Sequence, residues 1–124
     1  MREELAVKLQ DEFSFMRDMY YECDSGWYEL LRQLCAEITE IYNKNGLETD
    51  IEILQIKEKY GTLRFYYHIP SNDCAINNTI FETVKKWEEK SEEICESCGA
   101  DGVLRKLGGW VCTLCGGCYK KQVN

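Results

Sequence analysis

The spacing of apolar positions divides the chain into a short series of elements. Between residues 2 and 20, Leu5, Leu9, Phe13, Met16 and Tyr20 recur at intervals of three and four, which predicts one or two short helices with an apolar stripe. Cys23-Asp24-Ser25-Gly26 breaks that rhythm, and Asp24 or Ser25 is placed to accept a bond from a free amide at the next helix start. In that helix Trp27, Leu30, Leu31, Leu34, Cys35, Ile38, Ile41 and Tyr42 form a wide stripe, and Asn45-Gly46 ends it.

Over residues 51–69 the period shortens to two, and β-branched and aromatic residues flank Glu58-Lys59-Tyr60-Gly61, which predicts a β-hairpin turned at Gly61. Its second strand puts Leu63, Phe65, Tyr67 and Ile69 on one face and Arg64, Tyr66 and His68 on the other. The first strand is out of phase: Ile51 and Ile53 oppose Leu54 and Ile56, which requires either two covered faces or a bulge. Ser71-Asn72-Asp73 supplies N-caps for a helix over 74–94, with Ile76, Ile80, Val84, Trp87 and Ile94 inward and Lys85, Lys86, Glu88, Glu89, Glu92 and Glu93 on its wet sides. The expected fold is α+β: a body over residues 1–94, with helices on a hairpin or small antiparallel sheet, and a finger over 95–124 that follows without a linker, the whole one compact unit.

Composition narrows the class. The 124 residues, 44% hydrophobic, suffice for one core. Charges in Met1-Arg2-Glu3-Glu4-Leu5 do not suit a secretory leader, and no apolar run approaches the roughly 20 residues of a membrane span, so a cytoplasmic location without membrane contact is expected. There cysteines hold metal or do chemistry more often than they form disulfides. The net charge of −7 argues against broad phosphate-driven nucleic-acid binding. That charge is uneven, with 11 Lys and Arg against 20 Asp and Glu in residues 1–94, and 4 against 2 in residues 95–124. Four metal-bound thiolates would bring the tail close to neutrality.

The tail holds five of the eight cysteines. Cys95-Glu96-Ser97-Cys98-Gly99 has the form of a zinc knuckle, two thiols three residues apart with a glycine that lets the turn close and aim amides at sulfur. Arg105 to Trp110 reads as a second hairpin turned at Gly108-Gly109, returning the chain toward the knuckle. Two second pairs then compete. Cys115 and Cys118 would open a short C-terminal helix, the order of a treble clef; Cys112 and Cys115, followed by Gly116, would repeat the knuckle and make a zinc ribbon. The first choice is favoured, giving Cys95, Cys98, Cys115 and Cys118 as ligands of a structural Zn²⁺, with Cys112 as the alternate. A dithiol relay or an iron–sulfur cluster fits the spacing less well.

The segments IKEKYGTLRFYY at 56–67, Gly26-Trp27, CESCGADGVLR, Gly108-Gly109-Trp110 and TLCGGC together resemble a group of small phage, prophage and bacterial proteins. That group shares a helix opened by Gly-Trp, a hairpin of this pattern and a terminal pair of CxxC-like motifs. The resemblance runs from about Gly26 to the C-terminus. It implies that the second metal pair falls on Cys115 and Cys118 and that Cys112 is a departure. It implies no reaction.

Two kinds of site compete with simple packing. Lys57, Lys59, Arg64, Tyr66 and His68 crowd one hairpin and form a candidate face for nucleic acid, a nucleotide or another anion, against the plain reading of a solvated sheet face. Cys74, with His68 as base, is the candidate for nucleophilic chemistry. His68 is the only histidine, and the finger lacks the His and Asn partners of an HNH nuclease and the HxE…PCxxC pattern of zinc deaminases, so the chain is not expected to be an enzyme. Cys35 is expected in the core, Cys23 as an exposed thiol, and Trp27, Trp87 and Trp110 as packing residues. The expected function is a zinc-stabilised interaction protein of phage or prophage derivation that engages a host protein through its acidic surface, with counter-defence as one setting.

Overall fold

A computed structural model describes residues 1–123; Asn124, the last residue of the expected finger, lies outside the described residues. The elements run α1 (Glu3–Glu12), β1 (Tyr21–Glu22), α2 (Tyr28–Lys44), β2 (Glu52–Lys59), β3 (Thr62–His68), α3 (Cys74–Lys90), β4 (Val103–Leu107), β5 (Trp110–Leu114) and α4 (Gly116–Val123). Short 3₁₀ turns at Ser14–Met16, Ser25–Trp27 and Ser91–Glu93 join them. Two sheets form, β1-β2-β3 in the body and β4-β5 in the tail, so the α+β expectation holds.

The caps fall where short polar side chains stand. Asp24 accepts from the Ser25 amide at 2.7 Å and leads the chain through a 3₁₀ turn into α2. Asp73 caps α3 by accepting from the Ile76 amide at 3.1 Å. Gly46 ends α2 in the left-handed region, with φ of +65°. The helix expected over 74–94 stops at Lys90, where a 3₁₀ turn takes over and Ile94 becomes extended.

The phase conflict in the first hairpin strand is resolved by a bulge. Ile53 pairs with Tyr67 but Gln55 pairs with Tyr66, which leaves Leu54 as the extra residue, exposed to solvent. Ile53 and Ile56 thereby share the core face with Phe65 and Tyr67. Tyr60 and Gly61 turn the hairpin, both at positive φ, +55° and +80°. The parallel strand β1, which aligns Tyr21 with Ile56 and Glu22 with Lys57, was not expected; two residues are too few to show a period.

The core is built from Leu9, Phe13, Met16, Trp27, the inner face of α2, Ile56, Leu63, Phe65, and Ile76, Ile80, Val84 and Trp87 of α3. Tyr20 departs from the expected stripe and is 79% exposed. Cys35 is fully buried as expected; Cys23 is buried too, against expectation, and burial with Glu96 nearby pushes its thiol up to about 12.

The outer edge of β3 is not left open. The Leu63 amide donates to Ser91 Oγ at 2.8 Å and the Phe65 amide to the Glu88 carboxylate at 2.9 Å, so side chains of α3 and its following turn stand in for a neighbouring strand. Thr62 Oγ1 donates to Glu92 at 3.0 Å. Glu88 and Glu92 are therefore not simply wet-side residues. Burial pushes the Glu88 carboxyl up, against the opposing pull of the Phe65 amide.

Candidate metal centre

The tail folds as a knuckle, a hairpin and a helix. In the knuckle the Cys95 amide donates to Ala100 O at 2.7 Å and the Gly99 amide to Cys95 O at 2.9 Å, a turn closed by Gly99 at φ +87°. Strands β4 and β5 pair in register from Val103 with Leu114 to Leu107 with Trp110, turned at Gly108, φ +62°. Helix α4 begins directly after Cys115, and the Tyr119 amide donates to Cys115 O at 3.0 Å. Arg105 ties these parts together: Nε donates to Leu114 O at 2.9 Å, and its guanidinium lies 4.7 Å from the Tyr119 ring centre.

This arrangement brings the sulfurs of Cys95, Cys98, Cys115 and Cys118 to within 4.8 Å of one another. Cys98 and Cys115 are 3.7 Å apart. A tetrahedral zinc with bonds of about 2.3 Å needs sulfurs about 3.8 Å apart, so little movement separates this group from a four-thiolate site. Backbone amides already serve the sulfurs, the Cys118 amide donating to Cys115 Sγ at 3.4 Å. That amide holds the Cys115 thiol down to about 6, while the neighbouring Cys115 sulfur pushes Cys118 up to about 12. Burial raises Cys95, yet amides of Cys115, Cys98 and Ser97 turn its net shift downward. Four sulfurs this close cannot all be anionic without a cation among them, and the group can hold a metal ion.

Cys112 stands apart. It lies within β5 opposite Arg105, its Sγ 3.9 Å from Arg105 O, and belongs to the hairpin and not to the sulfur group. The alternate pairing of Cys112 with Cys115 is thus not the one the fold assembles. Strand geometry is the reason, since residues three apart on an extended strand point to opposite faces.

The finger is seated on the body along one seam. The Gly26 amide donates to Glu96 O at 2.7 Å, the Asp24 amide to Glu96 Oε2 at 2.9 Å, and Trp27 Nε1 to Ile94 O at 2.9 Å. A Cβ at Gly26 would lie 2.2 Å from Cys95 O and 2.3 Å from Glu96 O, so only glycine lets the knuckle approach. On the far side, buried Thr113 donates to Gly61 O at 2.7 Å and its own carbonyl accepts from the Glu96 amide at 3.0 Å. The Gly-Trp pair and the hairpin glycine are thus the points on which the finger rests. Glu96, which faces Asp24 and Glu58, is pushed up by burial.

The other candidate residues are spread out. Lys57 and Arg64 are cross-strand partners on the outer sheet face, where alternation also places Lys59 and Tyr66; His68 is exposed, opposite Glu52 near the far end of the hairpin. Cys74 is exposed at the start of α3. Trp27 and Trp87 are buried, and Trp87 Nε1 donates to Glu37 at 2.9 Å. Trp110, expected to pack, is instead 78% exposed at the turn of the finger. Its place directly after Gly108-Gly109 is the sequence signal for that position, because a turn tip has little to pack against.

Knuckle, hairpin and helix, with two thiols at the knuckle and two at the helix start, define a treble-clef type of finger carried on an α+β body. Compared with protein-family models, curated proteins and solved structures, the chain matches none. Among the described residues no helix is long and apolar enough to cross a membrane.

Proposed function

We propose that the four cysteines hold a structural Zn²⁺ and that the protein acts by binding a partner and not by catalysis. The observation that carries this reading is the closed ligand set: four thiols fill every position of a tetrahedral ion and leave none for water or substrate. Zinc suits that set better than an iron–sulfur cluster, because the sulfurs already stand at the spacing of a single ion. Metal binding on the order of 10 kcal/mol or more would then act as folding energy for the finger and for the seam at Gly26 and Gly61.

Phage or prophage derivation, which the resemblance implies, is part of the proposal. The partner is a host protein with a basic surface, met by a body that carries 20 Asp and Glu against 11 Lys and Arg. Counter-defence is the setting in which such binding would serve a phage.

Metal analysis of the purified protein and its Cys→Ser series tests the site. One zinc per chain is expected, lost in the changes at 95, 98, 115 and 118 and kept in Cys112→Ser, with chelation unfolding the finger. Zinc kept in Cys118→Ser but lost in Cys112→Ser would overturn the ligand set. For the partner, capture from a bacterial host should give one protein released by raised salt and by charge reversal on the body; binding insensitive to both would refute the acidic-surface reading.

A further inference from the structure

Among the described residues, the aromatic side chains that stand largely exposed are Tyr20, Tyr60, Tyr66, Phe81 and Trp110; four of them border clefts along the outer face of the body sheet, and Phe81, on α3, borders the groove between that helix and the edge strand β3. Lys57, Lys59, Tyr60 and Trp110 enclose a cleft of about 300 Å³ between the body hairpin and the turn of the finger. Cross-strand pairing of Lys57 with Arg64 leads from that face to a groove of about 420 Å³ at the sheet edge, where Arg64 and Tyr66 meet Phe81, Lys85 and Glu88 of α3. Beyond Tyr66 a third hollow reaches Tyr20 and Arg17. We propose that this strip is a binding site for single-stranded nucleic acid, with unpaired bases stacked on the aromatic rings and the cations on the backbone phosphates.

Exposing an aromatic ring forgoes the burial that the other aromatic residues of the chain obtain, so gathering four of the five exposed ones along one face, with Phe81 at its edge, calls for a flat, apolar occupant. The interleaved cations call for that occupant to carry regular negative charge. A single strand of nucleic acid presents both, and aromatic rings set among cations are the usual means of holding one without reading its sequence. A duplex, whose bases are already stacked, gains nothing from the rings.

Four acids border the strip against the five cations Arg17, Lys57, Lys59, Arg64 and Lys85, and three of the four are held by neutral donors, which orient but do not neutralise them. Glu22 accepts from Gln55 Nε2 at 2.7 Å, Glu58 from the Gly61 amide at 2.7 Å and Glu88 from the Phe65 amide at 2.9 Å, which leaves Asp18 at one end. Arg64 has the opposite status: its buried Nε has no hydrogen-bond partner among the described residues. The site goes beyond the host-protein reading, occupies a different surface, and needs only that the finger be folded so that Trp110 faces Lys57.

The test is fluorescence anisotropy with labelled oligothymidylate and oligouridylate of about twelve nucleotides, within the site sizes such surfaces cover. Trp110→Ala should weaken binding by about 5- to 150-fold, the range for one lost base stack, and Trp110→Phe should restore most of it. With Arg17, Lys57, Lys59, Arg64 and Lys85 each on a phosphate, log affinity should fall against log salt with a slope of about −3.5, and Lys57→Gln combined with Arg64→Gln should flatten it to about −2. Lys44→Gln, at the end of α2, should change nothing, and stoichiometric metal in each variant shows that it is folded. No binding at about 50 mM salt, or equal losses in Lys44→Gln and Trp110→Ala, would overturn the proposal, as would a protein partner held on this face while oligonucleotides are not.

Discussion

Replacing Gly26 by alanine should separate the finger from the body, and the structure gives its magnitude. The φ of Gly26 is not in the left-handed region, so an alanine there is not strained by its own backbone. At an open site such a change stabilises a protein by about 0.4–1 kcal/mol, because it reduces the freedom of the unfolded chain. Here the added Cβ would stand 2.2 Å from Cys95 O, 2.3 Å from Glu96 O and 2.4 Å from Glu96 C, all backbone atoms that no rotamer change can move aside. To reach ordinary contact the knuckle must retreat by about 1 Å. The bond from the Gly26 amide to Glu96 O, now 2.7 Å, would then exceed hydrogen-bonding distance, and those from Asp24 and Trp27 would be strained with it.

Three bonds at about 1 kcal/mol each, with part-buried groups left unpaired at a further 1–3, give a loss of about 4–6 kcal/mol. That is a large share of the roughly 5–15 kcal/mol of a whole domain. Urea unfolding of the metal-loaded protein measures it. Gly117→Ala in α4, where nothing lies within 4 Å, is the matched control and should be neutral or stabilising by about 0.5 kcal/mol. Gly26→Ala within about 1 kcal/mol of the native protein would refute the argument that backbone contact at Gly26 seats the finger.

Two further perturbations probe the same scaffold. Thr113→Val keeps the side-chain size but removes the donor to Gly61 O, and should cost about 1–3 kcal/mol by thermal unfolding; an equally stable variant would show that the buried bond contributes nothing. Glu88→Gln keeps an acceptor for the Phe65 amide while removing a charge disfavoured by burial. A carboxyl whose folded pKa is raised stabilises the fold below its unfolded pKa and loses that contribution as pH rises through the folded value. The Gln variant should therefore match or exceed the native Tm at pH 7, and the difference should vanish on acidification. A Gln variant clearly less stable at pH 7 would contradict this.

Much of the architecture is legible before folding is considered. The stripe from Trp27 to Tyr42 makes a helix in any context that covers it, since eight apolar residues at this spacing define a single face. Asp24, Asp73 and Gly46 act through their own backbone chemistry, which is local. The knuckle is local as well: Cys95, Cys98 and Gly99 lie within five residues, and the turn needs nothing beyond them.

Other features depend on what comes to lie beside them. The period of the first hairpin strand shows a conflict at Leu54, and only pairing with β3 decides that a bulge, not two covered faces, resolves it. Cys112 and Cys118 are each three residues from Cys115, and strand against helix start is what separates them. Cys23 looks exposed in an acidic loop until the fold takes it into the body core, and Trp110 looks like core until the turn carries it into solvent. Sequence spacing thus determined the helices, the hairpins and the knuckle, because those rest on contacts a few residues apart. Folding decided the seam at Gly26 and Gly61, the choice among the thiols, and the joining of Lys57 and Trp110 in one cleft, because each brings together segments more than 15 residues apart whose distance no local pattern encodes.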